Sequence, residues 1–232
     1  MHIYISGVSS GIGEALANQY LKAGHSVTGI GRGHNIHHPN FSFQFLDLMD
    51  LKAVQSFQFD GSHESLVLIN NAGQIGAIQR ISEQTESDIQ GVMTVNTIAP
   101  MLLCQQFLKQ VPLTTTQTIV NISSGAANRA IPAWASYCAS KIALDRFSET
   151  IDLEEKERGR NLRVFSIAPG VIDTPMQEKI RAASASDFSN HANFVQLKNT
   201  NELASAEQTA TKICLLIENS ANDSVVQTLK EY

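Results

Sequence analysis

The sequence predicts an α/β protein built on a doubly wound parallel sheet, a single domain with helices on both faces. Three observations carry this. Short apolar runs alternate with longer amphipathic stretches over the whole length. A glycine-rich turn, Gly7-Val8-Ser9-Ser10-Gly11-Ile12-Gly13, follows the first apolar run directly. Leu66-Val67-Leu68-Ile69 is continuously apolar, as a strand buried on both faces requires.

Taken in order, His2–Ser6 reads as a strand and Glu14–Ala23 as a helix ended by Gly24. Val27–Ile30 and Phe41–Leu46 are strands, the second alternating in residue type. Asp50–Phe57 is a short helix whose first turn is favoured by the charge of Asp50. The apolar run at 66–69 stops at Asn70-Asn71-Ala72-Gly73. A long helical region covers Glu86–Gln110, with a bend expected near Pro100. Thr118–Ile122 is the fifth strand. Ala135–Lys156 is a long helix closed by Arg158-Gly159. Leu162–Ile167 is the sixth strand, stopped by Ala168-Pro169-Gly170. Glu207–Glu218 is the last helix, and Ser224–Leu229 reads as a short edge strand. With no repeat, low-complexity tract or linker, residues 1–232 are expected to form one domain.

Composition excludes several classes. Of 232 residues, 43% are hydrophobic and 17% charged, enough for a sizeable core. Lys plus Arg number 17 against 22 Asp plus Glu, a net charge of −5 that argues against a broad nucleic-acid-binding face. Aliphatic runs such as Ile213–Ile217 fall far short of the ~18 residues a membrane span needs. The first residues lack the cationic and apolar regions of a secretory signal. Cys104, Cys138 and Cys214 are odd in number and widely spaced, so neither a disulfide framework nor a CxxC metal site is expected, and a reducing cytoplasm is the natural setting.

In doubly wound sheets ligands bind beyond the carboxyl ends of the strands. The residues to inspect are therefore Gly7–Gly13, Gly31–Gly33, Asn70–Gly73, Ser123-Ser124 and Pro169–Thr174. The GxxxGxG spacing of the first turn is neither GxGxxG nor a P-loop, but it meets the same demand. The chain turns sharply, backbone N–H groups face a pyrophosphate, and a helix N-terminus points at it. The turn could also serve only to close a tight βα connection. After the second strand an NAD site usually offers a carboxylate to the ribose. Here no acid stands between Glu14 and Asp47, and Gly31-Arg32-Gly33 offers a guanidinium suited to a 2′-phosphate. NADP(H) is therefore expected over NAD(H), the alternative being that Arg32 is a solvated loop residue. His34, His37 and His38 form an HxxHH cluster without acids or cysteines at ligand spacing. They are read as a mobile loop near the adenosine end, with no metal site.

Tyr137-Cys138-Ala139-Ser140-Lys141 places a tyrosine and a lysine on one helix face. With this pair the chain resembles the short-chain dehydrogenase/reductase family, in its single-domain, Rossmann-type branch. The resemblance covers about residues 2–217. Ser6-Gly7-Val8-Ser9-Ser10-Gly11-Ile12-Gly13 is similar to the family's TGxxxGIG, with Ser6 in place of Thr. Asn70-Asn71-Ala72-Gly73 is its NNAG, and Pro169-Gly170-Val171-Ile172-Asp173-Thr174 its PGxxxT. The resemblance implies catalytic roles for Asn96, Ser124, Tyr137 and Lys141. It implies cofactor contacts at Gly7, Ser9, Ser10, Gly11, Ile12, Gly13, Asn71, Ala72, Gly73, Pro169 and Gly170. Ile172 and Thr174 would hold the carboxamide and Lys141 the nicotinamide ribose. Asp47 has two readings, an adenine contact as in the family or a loop cap.

Carbonyl reduction needs a hydride at carbon and a proton at oxygen. A phenol with a pKa near 10 is a poor acid at neutrality. An ammonium ~4 Å from the phenol oxygen would stabilise phenolate by about 4 kcal/mol, roughly three pKa units. Lys141 is therefore expected to bring Tyr137 near working pH. Ser124 would orient the substrate carbonyl, and Asn96 would hold a water linking Lys141 to solvent.

On the substrate side, Trp134 is placed one turn from Tyr137 as a pocket wall, while Cys138 is read as filler. In the family the segment Pro175–Gln196 forms a lid. Its Met176, Ile180, Phe188, Phe194 and Val195 either close over an apolar carbonyl substrate or form the lid's own small core. Asp173-Thr174-Pro175-Met176-Gln177, with Leu197 and Glu202-Leu203, is similar to sepiapterin and benzil reductases. The tail Asn222–Tyr232 lacks a convincing counterpart of the acid that anchors a pterin, which favours a ketone or 1,2-diketone. The expected function is NADPH-dependent reduction of a small-molecule carbonyl. The alternatives are a 3-oxoacyl-thioester reductase, for which Arg129 gives slight support, and a catalytically silent NADP(H) sensor. Family members build dimers from the two long helices. Ala135, Ala139 and Ala143 allow close approach there, so a homodimer or homotetramer is expected.

Overall fold

The structure is a computed structural model that describes residues 1–218 and 224–229. Its strands are β1 (His2–Ser6), β2 (Ser26–Gly31), β3 (Phe41–Phe45), β4 (Ser65–Asn70), β5 (Thr116–Ile122), β6 (Leu162–Ala168) and β7 (Val226–Thr228). They pair in parallel in the order β3-β2-β1-β4-β5-β6-β7. The chain begins in the middle of the sheet, winds outward to β3, then returns beside β1 and winds outward to β7. The reversal falls between β1 and β4, which opens a crevice at their carboxyl ends.

Side chains alternate across the sheet, so one apolar strand feeds two cores. Ile3, Ile5, Val67 and Ile69 pack on one face with Leu16 and Tyr20 of α1 (Gly11–Lys22) and with Ile213 and Leu216 of α8 (Ala206–Glu218). Tyr4, Leu66 and Leu68 pack on the other with Leu103 and Phe107 of α4 (Ala99–Gln110) and Ile151 of α5 (Ala135–Glu157). This is why 66–69 is apolar at every position.

Three expected boundaries move. Helix α1 starts at Gly11, so the glycine turn supplies its first turn. Helix α2 is only Leu51–Gln55, with Asp50 outside it as N-cap, its Oδ1 accepting from the amides of Lys52 and Ala53 at 3.1 and 3.0 Å. The long region 86–110 is not one helix bent at Pro100. It is α3 (Glu86–Met93), a π-helical stretch at Thr94–Ile98, and α4. Pro100 has no N–H to give to the carbonyl of Asn96, and its ring would crowd that carbonyl in a regular helix, so the distortion falls one turn earlier. Two further helices, α6 (Pro175–Arg181) and α7 (His191–Asn199), lie between β6 and α8. No helix among the described residues is long and apolar enough to cross a membrane.

Candidate active site

A cleft of about 1190 Å³ runs along the carboxyl ends of the strands. Gly7, Ser9, Ser10, Gly11 and Ile12 line it; Gly13 stands behind them. A Cβ at Gly13 would meet the Gly7 carbonyl oxygen at 2.2 Å and Asn71 Nδ2 at 2.4 Å, so only hydrogen fits there. At Gly7, φ is +75° and a Cβ would lie 2.9 Å from Ala72 Cα. Asn71 Nδ2 donates to the carbonyls of Ser6 and Gly7, both at 3.0 Å. Ser6 Oγ accepts from the amides of Asn71 and Ala72, both at 3.1 Å, so serine does here what the family's threonine hydroxyl can do. The turn and the Asn70–Gly73 segment are thus one unit. Ser10, the N-cap of α1, makes no side-chain bond to its own helix. Its hydroxyl and the first amides of α1 remain available to an anion, and the cradle fits a pyrophosphate.

At one end of the cleft stand Arg32, Gly33, Leu46, Asp47 and Leu48. Arg32 is exposed. Asp47 lines the cleft and also accepts from the Met49 amide at 3.0 Å, so it does the work of a loop cap while facing the ligand space. His34 packs its ring on Phe41 and Phe43, and His38 Nδ1 accepts from the Asn40 amide, so these imidazoles are engaged in separate local contacts.

Ser124, Tyr137 and Lys141 line the same cleft further along. Ser124 caps the short turn Gly125–Ala127, its Oγ accepting from the Ala126 amide at 3.2 Å. Tyr137 and Lys141 are 6% and 4% exposed. Lys141 Nζ donates to the Ile122 carbonyl at 2.8 Å and lies 5.7 Å from the centre of the Tyr137 ring. The expected acidification of Tyr137 is corrected here. Burial pushes its phenol up to about 12, and a hydrogen bond with Ser124 opposes this only in part. Burial also pulls the Lys141 amine down to about 8, against the pull of Asp145. Desolvation is the first cause of both shifts because both groups are inside, and the Lys141 ammonium is bonded to a carbonyl.

Asn96 sits apart from the other three residues expected to be catalytic. It is fully buried and does not line the cleft. Its Oδ1 accepts from the Gln74 amide at 2.8 Å, while Nδ2 donates to the Gln74 carbonyl at 2.9 Å and to Ser140 Oγ at 3.1 Å. The side chain is a brace between the π-helical stretch, the loop after β4 and α5. Gln74 was not singled out in the sequence, although it follows the NNAG segment directly.

Asn71, Ala72, Gly73, Pro169, Gly170, Ile172 and Thr174, the other residues expected to contact a cofactor, also line the cleft. Beyond them the lid leaves and rejoins the body at one point. The Asp173 amide donates to the Ala204 carbonyl at 3.0 Å, and the Ala204 amide to the Val171 carbonyl at 3.2 Å. Asp173 also pairs with Lys198 of α7 and Arg181 of α6. The segment answers to both readings, for Ile180, Phe188 and Phe194 share one buried cluster with Trp134. Met176, Ile180 and Phe194 face the cleft, whereas Phe188 is fully buried and stacks on Trp134 at 5.5 Å. Trp134 lines the cleft and meets Tyr137 edge-on at 5.6 Å. Within the tail Asn222–Tyr232 only Ser224–Leu229 are described; Thr228 reaches the cleft, and the tail's acidic residues lie outside the described residues.

A glycine cradle at the switch point of a parallel sheet, leading to a serine, tyrosine and lysine in one cleft, defines a Rossmann-type oxidoreductase site. The short chain dehydrogenase family profile matches residues 1–185. The chain is 34% identical to benzil reductase ((S)-benzoin forming) of Bacillus subtilis, covering 100% of both proteins. It is 29% identical to sepiapterin reductase of Bos taurus, over 69% of this chain and 60% of that protein. A solved short chain dehydrogenase/reductase from Saccharomyces cerevisiae shares the fold with a TM-score of 0.85 at 24% identity, covering 98% of this chain and 95% of that one. The protein belongs to the short-chain dehydrogenase/reductase family, whose members bind a nicotinamide cofactor.

Proposed function

We propose that this protein is an NADPH-dependent carbonyl reductase acting on ketones or 1,2-diketones with aromatic or apolar substituents. The observation that carries the reading is one cleft in which Ser124, Tyr137 and Lys141 meet an apolar wall of Trp134, Met176, Ile180 and Phe194. The similarity to benzil reductases supports the substrate class.

In this reading Ser9, Ser10, Gly11 and Ile12 receive the pyrophosphate and Arg32 forks onto the 2′-phosphate. Asp47 lies at the adenine, and Ile172 and Thr174 hold the carboxamide. A bound nicotinamide supplies the hydride. Ser124 Oγ donates to the substrate oxygen and fixes its angle. Tyr137 gives that oxygen its proton. A phenol near 12 is fully protonated at neutral pH, so the acid form is always present. A nascent alkoxide, about as basic as hydroxide (~15.7), takes the proton downhill. The Lys141 ammonium then stabilises the phenolate left behind. Oxidation would run through the same groups in reverse, starting from the phenolate.

The same reading includes a homodimer or homotetramer in the cytoplasm. The outer faces of α4 and α5 expose Met101, Ile142 and Leu153, and Ala135 and Ala139 beside them allow close approach. A second reading, reduction of a 3-oxoacyl thioester, is favoured by Arg129 and Lys179 at the cleft rim. The experiment follows loss of NADPH absorbance with aromatic ketones, 1,2-diketones and a 3-oxoacyl thioester. The diketones should turn over best, and Tyr137→Phe should lower kcat by about 10²–10⁴-fold. Tight NADPH binding with no turnover of any carbonyl would instead identify a nucleotide sensor.

A further inference from the structure

One buried carboxylate takes no part in these steps. Tyr137, Lys141 and Asp145 follow one another at four-residue spacing on α5 and so share a face. Asp145 is only 4% exposed. Its Oδ1 accepts a hydrogen bond from Ser166 Oγ at 2.6 Å, and Ser166 is fully buried in β6. Ser166 pairs with Asn121 of β5, and the next residue of β5, Ile122, provides the carbonyl that receives Lys141 Nζ. Carboxylate and ammonium are therefore anchored to adjacent strands beneath the tyrosine. A carboxylate inside a protein is strongly disfavoured unless a bond and an opposite charge compensate it. Ser166 provides the bond.

We propose that Asp145 is a positioning residue whose negative charge, held in place by Ser166, keeps the Lys141 side chain an ammonium beside Tyr137. For its catalytic consequence this rests on the carbonyl-reductase reading. Burial works against the charged form of Lys141, and Asp145 is the charge that opposes it. Among the described residues, no charge other than Asp145 acts on Lys141. Its own helix presents the neutral phenol of Tyr137. Strand β5 presents the Ile122 carbonyl, and the loop after β4 presents Gly73. The turn Gly125–Ala127 and strand β7 contain no charged residue. The acids of α3, Glu86 and Asp88, bond to Gln90 and Thr85 at the surface. The signal for Asp145 in the sequence is an acid four residues after a lysine on a buried helix face.

The sign follows directly. Without the negative charge, Lys141 gives up its proton at lower pH, and the alkaline limb of the reduction rate moves down with it. The test titrates the Lys141 side chain by NMR in the cofactor-free protein, in wild type, Asp145→Asn and Asp145→Leu. The resonance is assigned by its loss in Lys141→Met. Both Asp145 variants should lower the midpoint by about half a pH unit or more, and the alkaline limb of kcat should shift equally. Asp145→Asn retains an acceptor for Ser166 while Asp145→Leu does not. A midpoint unchanged in either folded variant, or rescued by the amide, overturns the proposal, because charge would then not be what matters. A midpoint that moves in a protein that reduces no carbonyl would sink the carbonyl-reductase reading and leave this assignment standing. Normal turnover with an unmoved midpoint would do the reverse.

Discussion

Arg32 is the residue at which cofactor choice can be tested alone. It is exposed, flanked by glycines, and lines the cleft where β2 ends. A forked bond to a phosphate is charge-assisted and is worth about 1.5–3 kcal/mol. Arg32→Ala should therefore raise the KM for NADPH by about 10–100-fold and leave that for NADH nearly unchanged. Steady-state kinetics with both cofactors check this, and an equal loss for both would remove Arg32 from the account. At the other end of the cleft, Tyr137 and Lys141 show how burial inverts a simple pairwise expectation. An ammonium lowers a neighbouring phenol in a polar setting. In this interior the desolvation of both groups is the larger effect.

At the scale of elements, the lid and the π-helical stretch shape the site. The lid is tied at its base by the backbone pairing of Ile172 with Ala204, so its order beyond that point depends on its own packing. Phe188 is the centre of that packing, fully buried against Trp134 and Phe194. Truncating a buried phenylalanine costs about 3–5 kcal/mol, more than a small subdomain can absorb. Phe188→Ala should raise the KM for the carbonyl substrate at least about tenfold, with little change for NADPH, and should open the lid to limited proteolysis. Unchanged KM and a protease-resistant lid would show that Phe188 does not order it. The π-helical stretch has the opposite role. It turns Asn96 inward to brace Gln74, and so fixes the loop that carries Asn71 to Gly73.

For the molecule as a whole, one contribution to stability in acid comes from the amino end of the inner strand β1, at the end of the sheet opposite the cleft. His2 Nε2 bonds to Thr28 Oγ1 at 2.9 Å, and its ring stacks on His63 at 4.6 Å. Burial first, then the neighbouring His63, pulls the His2 imidazole down to about 4. The folded chain therefore resists a proton that the unfolded chain accepts. Stability falls as pH drops from about 6.5 toward 4, because the unfolded state binds more protons across that window. Thermal melting midpoints across that range should fall less steeply for His2→Gln than for wild type. Parallel slopes would place the acid sensitivity elsewhere.

Much of this protein was legible before any coordinates. The alternation of runs implied the parallel sheet, because strand and helix periods are local. Gly7 to Gly13 implied an anion cradle, because backbone geometry demands glycine there. The spacing of Tyr137 and Lys141 placed both on one face. Tertiary structure alone decided the rest. It committed the Asn96 amide to Gln74 and Ser140, divided Phe188 from Phe194, and set Asp145 beneath Lys141. Periodicity and turn chemistry are properties of neighbours along the chain. Desolvation, charge compensation and the filling of buried hydrogen bonds depend on residues distant in sequence, which only folding brings into contact.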